Sequence, residues 1–114
     1  GMCRLEDAHK FFHVEENQEC DFMVYCPKVR EEYKKDLLSI THIDGTCRLQ
    51  TVTREQNQFI YDLLSQEAFS KTPVLLNTSF NVNGKPILSK AKTALEILDT
   101  TEIDSVVIED FIFS

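Results

Sequence analysis

No stretch of this 114-residue sequence approaches the roughly 20 consecutive apolar residues that cross a bilayer. Its start also lacks the basic head and apolar middle of a secretory signal. A membrane association is therefore not expected, and the chain reads as cytoplasmic. Positive charge is scarce as well: 12 Lys and Arg stand against 19 Asp and Glu, a net charge of −7. Binding a phosphate backbone nonspecifically needs the opposite balance, so nucleic acid is not an expected partner, although a local basic patch is compatible with this total. Cysteine is present but unpatterned. No pair among Cys3, Cys20, Cys26 and Cys47 has the C-x-x-C spacing of zinc and redox motifs, and His9, His13 and His42 add no ordered ligand array. Reduced thiols and no metal site are expected. Walker loops, G-x-G-x-x-G and a Ser-His-Asp order are missing too, which leaves P-loop phosphate binding and triad hydrolysis without support. There is no repeat, no low-complexity tract and no Pro/Gly/Ser linker, so residues 1–114 are expected to form a single domain around one core.

What is present is a sequence of short patterned segments. Ala8, Phe11 and Phe12 share one face of a short helix. The strand-formers Phe22 to Cys26 end at Pro27, and the charged run Val29 to Asp36 reads as a mobile, solvent-exposed excursion. Asp44-Gly45 is a turn signal between Ser39–Ile43 and Cys47–Val52, which alternate well enough for a hairpin. Thr53 and Gln56 have capping-box spacing ahead of an apolar stripe, Phe59, Ile60, Leu63, Leu64 and Ala68, on a helix that should end near residues 70–72 before Pro73. Val74 to Leu76 suits a short strand covered on both faces. Ser89 can cap a helix carrying Ala91, Ala94, Leu95 and Leu98, and Ser105 to Phe113 supplies a closing strand. The predicted class is α/β (α+β), a mixed twisted sheet with packed helices.

Two places concentrate polar chemistry. In "PVLLNTSFNVNGKPIL", Pro73 to Leu88, a buried strand breaks into Asn77, Thr78, Ser79, Asn81 and Asn83, at the kind of strand-to-helix junction where mixed folds hold ligands. Such side chains and turn amides can cradle an anion; a turn-rich crossover that satisfies only its own backbone is the alternative. In "THIDGTCRLQTV", strand alternation puts Arg48 and Gln50 on one face and Cys47 and Leu49 on the other. Arg48 then either binds phosphate or carboxylate bidentately or is a solvated side chain, and His42 is either structural or part of that site.

Together these blocks, "THIDGTCRLQTVTREQN" and "TPVLLNTSFNVNGKPIL", closely resemble the C-terminal region of the O-carbamoyltransferases that include nodulation and aminoglycoside-tailoring enzymes. That family's pattern runs approximately H-x-D-G-T-x-R-x-Q-T-V, a helix, then P-V-L-L-N-T-S-F-N-x-x-G-x-P. "LEDAHKFF" and "ALEILDTTEIDSVVIEDFIF" resemble its flanking elements. The resemblance implies a partial YrdC-like domain, which uses ATP with Mg²⁺ to activate carbamoyl phosphate as carbamoyl-adenylate. A separate N-terminal ATPase-fold half would pass the carbamoyl group to a substrate hydroxyl. By position, Arg48 would neutralise a phosphate, and Ser79, with Asn77 and Thr78, would hydrogen-bond phosphate or the carbamoyl group. Asn81 and Gly84 would shape the loop, and His42 and Asp44 would orient it.

The sequence departs from that pattern in places. Upstream arginine elements of the form F-G-P-R-A-L-G and R-x-x-F-R-P-F-A-P do not occur, Asn83 stands where many relatives have Arg, and Lys85 where Glu is frequent. Gly1 before Met2 has the look of a tag remnant, leaving either a short natural reading frame or an excised fragment. An incomplete domain of this kind is expected to be inactive alone and to expose apolar surface or a sheet edge, which self-association into a homo-oligomer would cover. A noncatalytic binding or scaffold module, and a nucleotide-sensing domain, are the competing readings.

Overall fold

A computed structural model of the chain describes residues 1–81 and 84–114; Asn83, singled out above, lies outside the described residues. The chain divides into two compact units, Gly1–Asn77 and Thr78–Ser114.

In the first unit the central strand is one that the sequence pattern did not suggest. Strand β1 (Met2–Arg4) lies between β2 (Gln50–Val52), which it pairs in parallel with Cys3 opposite Thr51, and β3 (Val74–Leu75), which it pairs antiparallel with Cys3 opposite Val74. The expected mixed sheet with helices is therefore present. Three residues are too few to show alternation, which is why β1 is illegible in isolation. The ladder extends past it: Gly1 N donates to Arg48 O (2.7 Å) and Gln50 N to Gly1 O (2.8 Å).

Helix α1 (Ala8–Phe11) forms where its apolar face predicts, and its residues enter one cluster with Cys3, Phe12, Val29, Leu37, Ile40, Cys47 and Leu49. Phe12 and Leu49 are wholly buried, each contributing about 1.5–3 kcal/mol of transfer free energy. Asp7, at the start of α1, is buried yet doubly paired, with Arg4 Nε at 2.6 Å and Lys10 Nζ at 2.7 Å. A buried carboxylate persists only with such partners.

Several expectations fail here for identifiable reasons. Phe22–Cys26 is not a strand: Phe22 and Val24 are exposed, and only isolated bridges, Tyr25 with Leu49 and Lys28 with Thr46, run along this segment. Pro27 removes the N–H that a continuous ladder would need. The charged run is not a free excursion, because Val29 is buried, Arg30 Nε donates to His9 O (2.8 Å), and Tyr33 meets Phe11 edge-on at 4.6 Å. Ser39–Ile43 forms a 3-10 turn at Leu38–Ile40 instead of a hairpin arm, leaving β2 free to pair with β1. The capping box does form, with Thr53 N to Gln56 Oε1 at 2.9 Å and Gln56 N to Thr53 Oγ1 at 3.3 Å. It closes a separate turn, however. Helix α2 (Gln58–Leu64) has its own cap, Asn57, whose Oδ1 accepts from Ile60 N at 3.1 Å. That helix stops before a 3-10 turn at Glu67–Phe69, and of the expected stripe only Leu64 is buried. Strand β3 sits at the sheet edge and is half-buried, not covered on both faces.

The second unit contains helix α3 (Ala91–Thr100), with Ala94 and Ile97 buried, and the strands β4 (Val106–Ile108) and β5 (Phe111–Phe113). Ser89 does not cap α3: the cap position is Lys90, without a side-chain bond. The single closing strand expected over 105–113 is instead an antiparallel hairpin, Val107 opposite Ile112, turning at Glu109, whose φ is +52°. The sequence hides this turn because Glu109-Asp110, between two apolar triplets, is not among the usual turn pairs for left-handed backbone. No described helix is long and apolar enough to cross a membrane.

Candidate functional site

The turn at Asp44-Gly45 is built from local bonds. Gly45 adopts φ +82°, Gly45 N donates to His42 O (2.9 Å), and His42 N donates to Thr46 O (2.7 Å). Asp44 Oδ1 accepts from both Thr46 N (3.0 Å) and Thr46 Oγ1 (2.7 Å). Those bonds, the hydroxyl one foremost, hold the Asp44 carboxyl below its ordinary titration range. The arrangement also assigns His42. With the Thr46 hydroxyl proton committed to Asp44, the 3.2 Å contact between His42 Nδ1 and Thr46 Oγ1 makes Nδ1 the donor.

Beyond the turn the chain runs into β2. Cys47 and Leu49 are buried and Arg48 exposed, the alternation read from the sequence. The Gly1–Arg48 main-chain bond fixes the base of that arginine. Its guanidinium has no ion pair or hydrogen bond among the described residues, whereas Arg4, Arg30 and Arg54 are all engaged.

Arg48 and His42 open onto a cleft of about 310 Å³ within the first unit, with Asn77, Ser39, Thr41 and Met23 also in its wall. Asn77 Nδ2 donates to Gln50 Oε1 at 3.0 Å and lies 3.9 Å from Met23 Sδ, so its NH₂ faces the protein and its Oδ1 is the group left to accept. Thr41 Oγ1 donates to Leu37 O (2.6 Å) and can likewise only accept from a ligand. Met23 holds φ +54°, an uncommon conformation for a side chain without a short polar group. The cleft thus offers a guanidinium that is unpaired among the described residues, an imidazole, and carbonyl and hydroxyl acceptors.

Of the residues singled out in the sequence, the structure brings Arg48, His42 and Asn77 together in this cleft. Thr78, Ser79 and Asn81 belong to the second unit. There Ser79 O accepts from Asn81 N (3.1 Å) and Asn81 Nδ2 donates to Lys85 O (3.0 Å); Thr78 and Ser79 are exposed. Sequence reasoning missed Ser39, Thr41 and Met23, which no spacing marks, and Thr46, which the D-G-T signature could have supplied as the Asp44 partner.

Thiol chemistry is suppressed at the core. Burial pushes Cys3 up to about 12 and raises Cys47 and Cys20 as well, so these sulfurs stay protonated. All four cysteines are free, and no three His, Cys, Asp or Glu side chains among the described residues converge on a metal-sized site.

The family model described as "Carbamoyltransferase C-terminus" matches residues 1–114. The chain is 40% identical over 111 residues to nodulation protein NolNO of Sinorhizobium fredii, covering 94% of this chain and 16% of that protein. It is likewise 40% identical to nodulation protein NolO of Bradyrhizobium diazoefficiens, covering 94% of this chain and 20% of the relative. Similarity extends to a 3'-hydroxymethylcephem-O-carbamoyltransferase of Streptomyces clavuligerus, 37% identical over 96% of this chain and 20% of that enzyme. The chain therefore spans about a fifth or less of the length of these relatives. With the family model matched end to end, the chain belongs to the carbamoyltransferase C-terminus family.

Proposed function

We propose that the chain serves a carbamoyltransferase by binding carbamoyl phosphate, in support of its activation with ATP and Mg²⁺ to carbamoyl-adenylate, for transfer to a hydroxyl by a separate ATPase-fold half. The observation that supports this most directly is that the Arg48 guanidinium, unpaired among the described residues, and the Asn77 side chain line one cleft in a chain whose net charge is −7. Carbamoyl phosphate carries a dianionic phosphate at one end and an N–H₂ donor at the other. A planar guanidinium suits the first, in a two-bond geometry, and the Asn77 Oδ1 acceptor suits the second. His42, with its ring held by Thr46, would add a hydrogen bond to the ligand. Fixed groups of this kind stabilise charge that develops as a phosphoryl or acyl group moves, without reorganising at the moment of reaction. Ser79 and Thr78 keep the role implied by the resemblance, as hydrogen-bonding partners of phosphate or carbamoyl, and Asn81 that of shaping its loop.

Calorimetry with carbamoyl phosphate, with and without ATP and Mg²⁺, tests the reading against an Arg48→Ala variant. Binding that falls at least about tenfold in the variant is expected, the scale of a lost bond between charged groups. Equal binding by both chains, or none by the native chain even when the remaining polypeptide of a longer relative is supplied, would overturn it. A pyrophosphate-release assay that shows no dependence on carbamoyl phosphate would remove the adenylate step alone.

A further inference from the structure

A carbamoyl group and an acetyl group have nearly the same shape; the first carries an N–H₂ where the second carries a methyl. Carbamoyl phosphate and acetyl phosphate therefore present the same phosphate and the same carbonyl, and Arg48, which meets the phosphate, cannot tell them apart. A hydrogen-bond acceptor at the acyl end can. Whether the Arg48 cleft has one depends on which way round the Asn77 amide lies, because that side chain donates through its nitrogen and accepts through its oxygen.

The direction is held from outside the cleft. Gln50 belongs to β2, with its main chain bonded to Gly1 and paired with Met2, and its side chain lies in the wall of a neighbouring cleft, not in that of Arg48. Its Oε1 accepts from Asn77 Nδ2 at 3.0 Å. Two facing amides bond equally well the other way round, with Gln50 giving and Asn77 receiving. Met23 breaks that tie. Its Sδ lies 3.9 Å from the same Asn77 nitrogen, and a thioether can only accept. With two acceptors on it, the Asn77 NH₂ stays turned to the protein, and Oδ1, which has no partner among the described residues, is left for a ligand.

We propose, resting on the carbamoyl phosphate reading of the Arg48 cleft, that Gln50 is a positioning residue that sets acyl specificity. By holding Asn77 with its oxygen free, it selects an acyl phosphate that bears N–H over one that bears a methyl. Against the carbamoyl N–H₂ the Asn77 oxygen gains a bond; against a methyl it meets no hydrogen to accept and gives up bound water. A group placed to bond an N–H rejects the analogue without it more sharply than an apolar wall rejects a small difference in size. Because Asn77 is exposed, water restores part of the lost bond, and the preference is about fivefold to tenfold, below that of a sealed pocket.

Calorimetric titration of carbamoyl phosphate, acetyl phosphate and inorganic phosphate tests it, with the native chain and with Gln50→Glu and Gln50→Lys, each alone and with the remaining polypeptide of a longer relative. The quantity read is the ratio of the two acyl phosphate affinities; both ligands carry the same charge, so the charge that either substitution adds cancels. The native chain is expected to prefer carbamoyl phosphate about fivefold or more. Gln50→Glu keeps an acceptor opposite Asn77 Nδ2 and should keep the preference. Gln50→Lys offers only donors, so Asn77 turns its oxygen to the lysine and its NH₂ to the ligand; the ratio should fall to unity or below, and the Asn77 side-chain ¹⁵N resonance should move. Should Gln50→Lys not fold, Gln50→Leu, which removes the acceptor and adds no donor, must lower the ratio. A native ratio near unity, carbamoyl phosphate no tighter than inorganic phosphate, a preference lost in Gln50→Glu, or one kept in Gln50→Lys or Gln50→Leu overturns the proposal. Equal binding of both acyl phosphates that Arg48→Ala weakens overturns the specificity alone, whereas binding of neither, or native-like binding by Arg48→Ala, overturns the reading beneath it as well.

Discussion

The two units use the same kinds of element to different effect. In residues 1–77 a three-stranded sheet and short helices enclose a continuous cluster around Phe12 and Leu49, and segments far apart in sequence, such as Gly1 and Arg48, are bonded directly. In residues 78–114 the described buried apolar side chains are Ala94, Ile97 and Val106, while Phe111 and Ile112 of the hairpin are exposed. A two-stranded hairpin is at best marginal without a covering layer. The contrast shows that short elements become rigid through what they bury against, and the number of regular residues in them matters less.

The largest expected effect breaks the first unit's core. Phe12→Ala removes a wholly buried ring and should cost about 3–5 kcal/mol; Phe111→Ser, at a ring 65% exposed, should stay within about 0.5 kcal/mol. Thermal and denaturant melting of the two variants measure this difference directly. Similar losses in both would show that the hairpin face is covered in solution. Native-state hydrogen exchange extends the comparison, with slower exchange expected at Gln50 N than at the amides of β4 and β5.

Next in size is Asp7. Arg4 and Lys10 both close on its carboxylate inside the first unit. Deleting that carboxylate in Asp7→Ala leaves the half-buried Arg4 without its partner, and about 2–3 kcal/mol of destabilisation is expected, below the 3–5 typical of pairs buried on both sides. A loss under about 1 kcal/mol would place this pair with ordinary surface ion pairs. Thr53→Ala is a smaller perturbation. It opens one bond of the capping turn ahead of α2 and should cost about 1 kcal/mol, read as faster exchange at Gln56 N.

Legibility in the sequence followed the same division. Where one residue type dictates one geometry, the reading survived: Gly45 at its positive φ and the alternation that buries Cys47 and Leu49 and exposes Arg48, with the reciprocal Thr53–Gln56 bonds formed but not at the start of α2. Where geometry depends on a distant partner, it did not. Strand β1 exists because β2 and β3 arrive on its two sides, and Leu38–Ile40 turns because β2 has paired elsewhere. The site divides likewise. Arg48 was visible from alternation and Asn77 from its place after a strand, but the direction of the Asn77 amide is set by Gln50, 27 residues away. No local pattern encodes that bond, yet it decides whether Asn77 accepts or donates.

The smallest predicted effect concerns the turn that holds His42. Asp44 is fully exposed, and the Thr46 hydroxyl and amide depress its pKa below 3.8. A carboxyl with a depressed folded-state pKa stabilises the folded form above its unfolded value, and that contribution fades as pH falls through the folded value. Thr46 N should therefore keep its exchange protection as pH drops to the ordinary Asp range and lose it only below 3.8. In Asp44→Asn the side chain cannot titrate, so the acid step should vanish while the Asx geometry persists. Thr46→Val tests the hydroxyl alone. It removes the largest cause of the depression and moves the acid step upward toward the ordinary range, and it also strips His42 Nδ1 of its acceptor. A Thr46→Val chain that keeps the native acid step and the native His42 tautomer in ¹⁵N spectra would show that the backbone amide, not the hydroxyl, controls this turn.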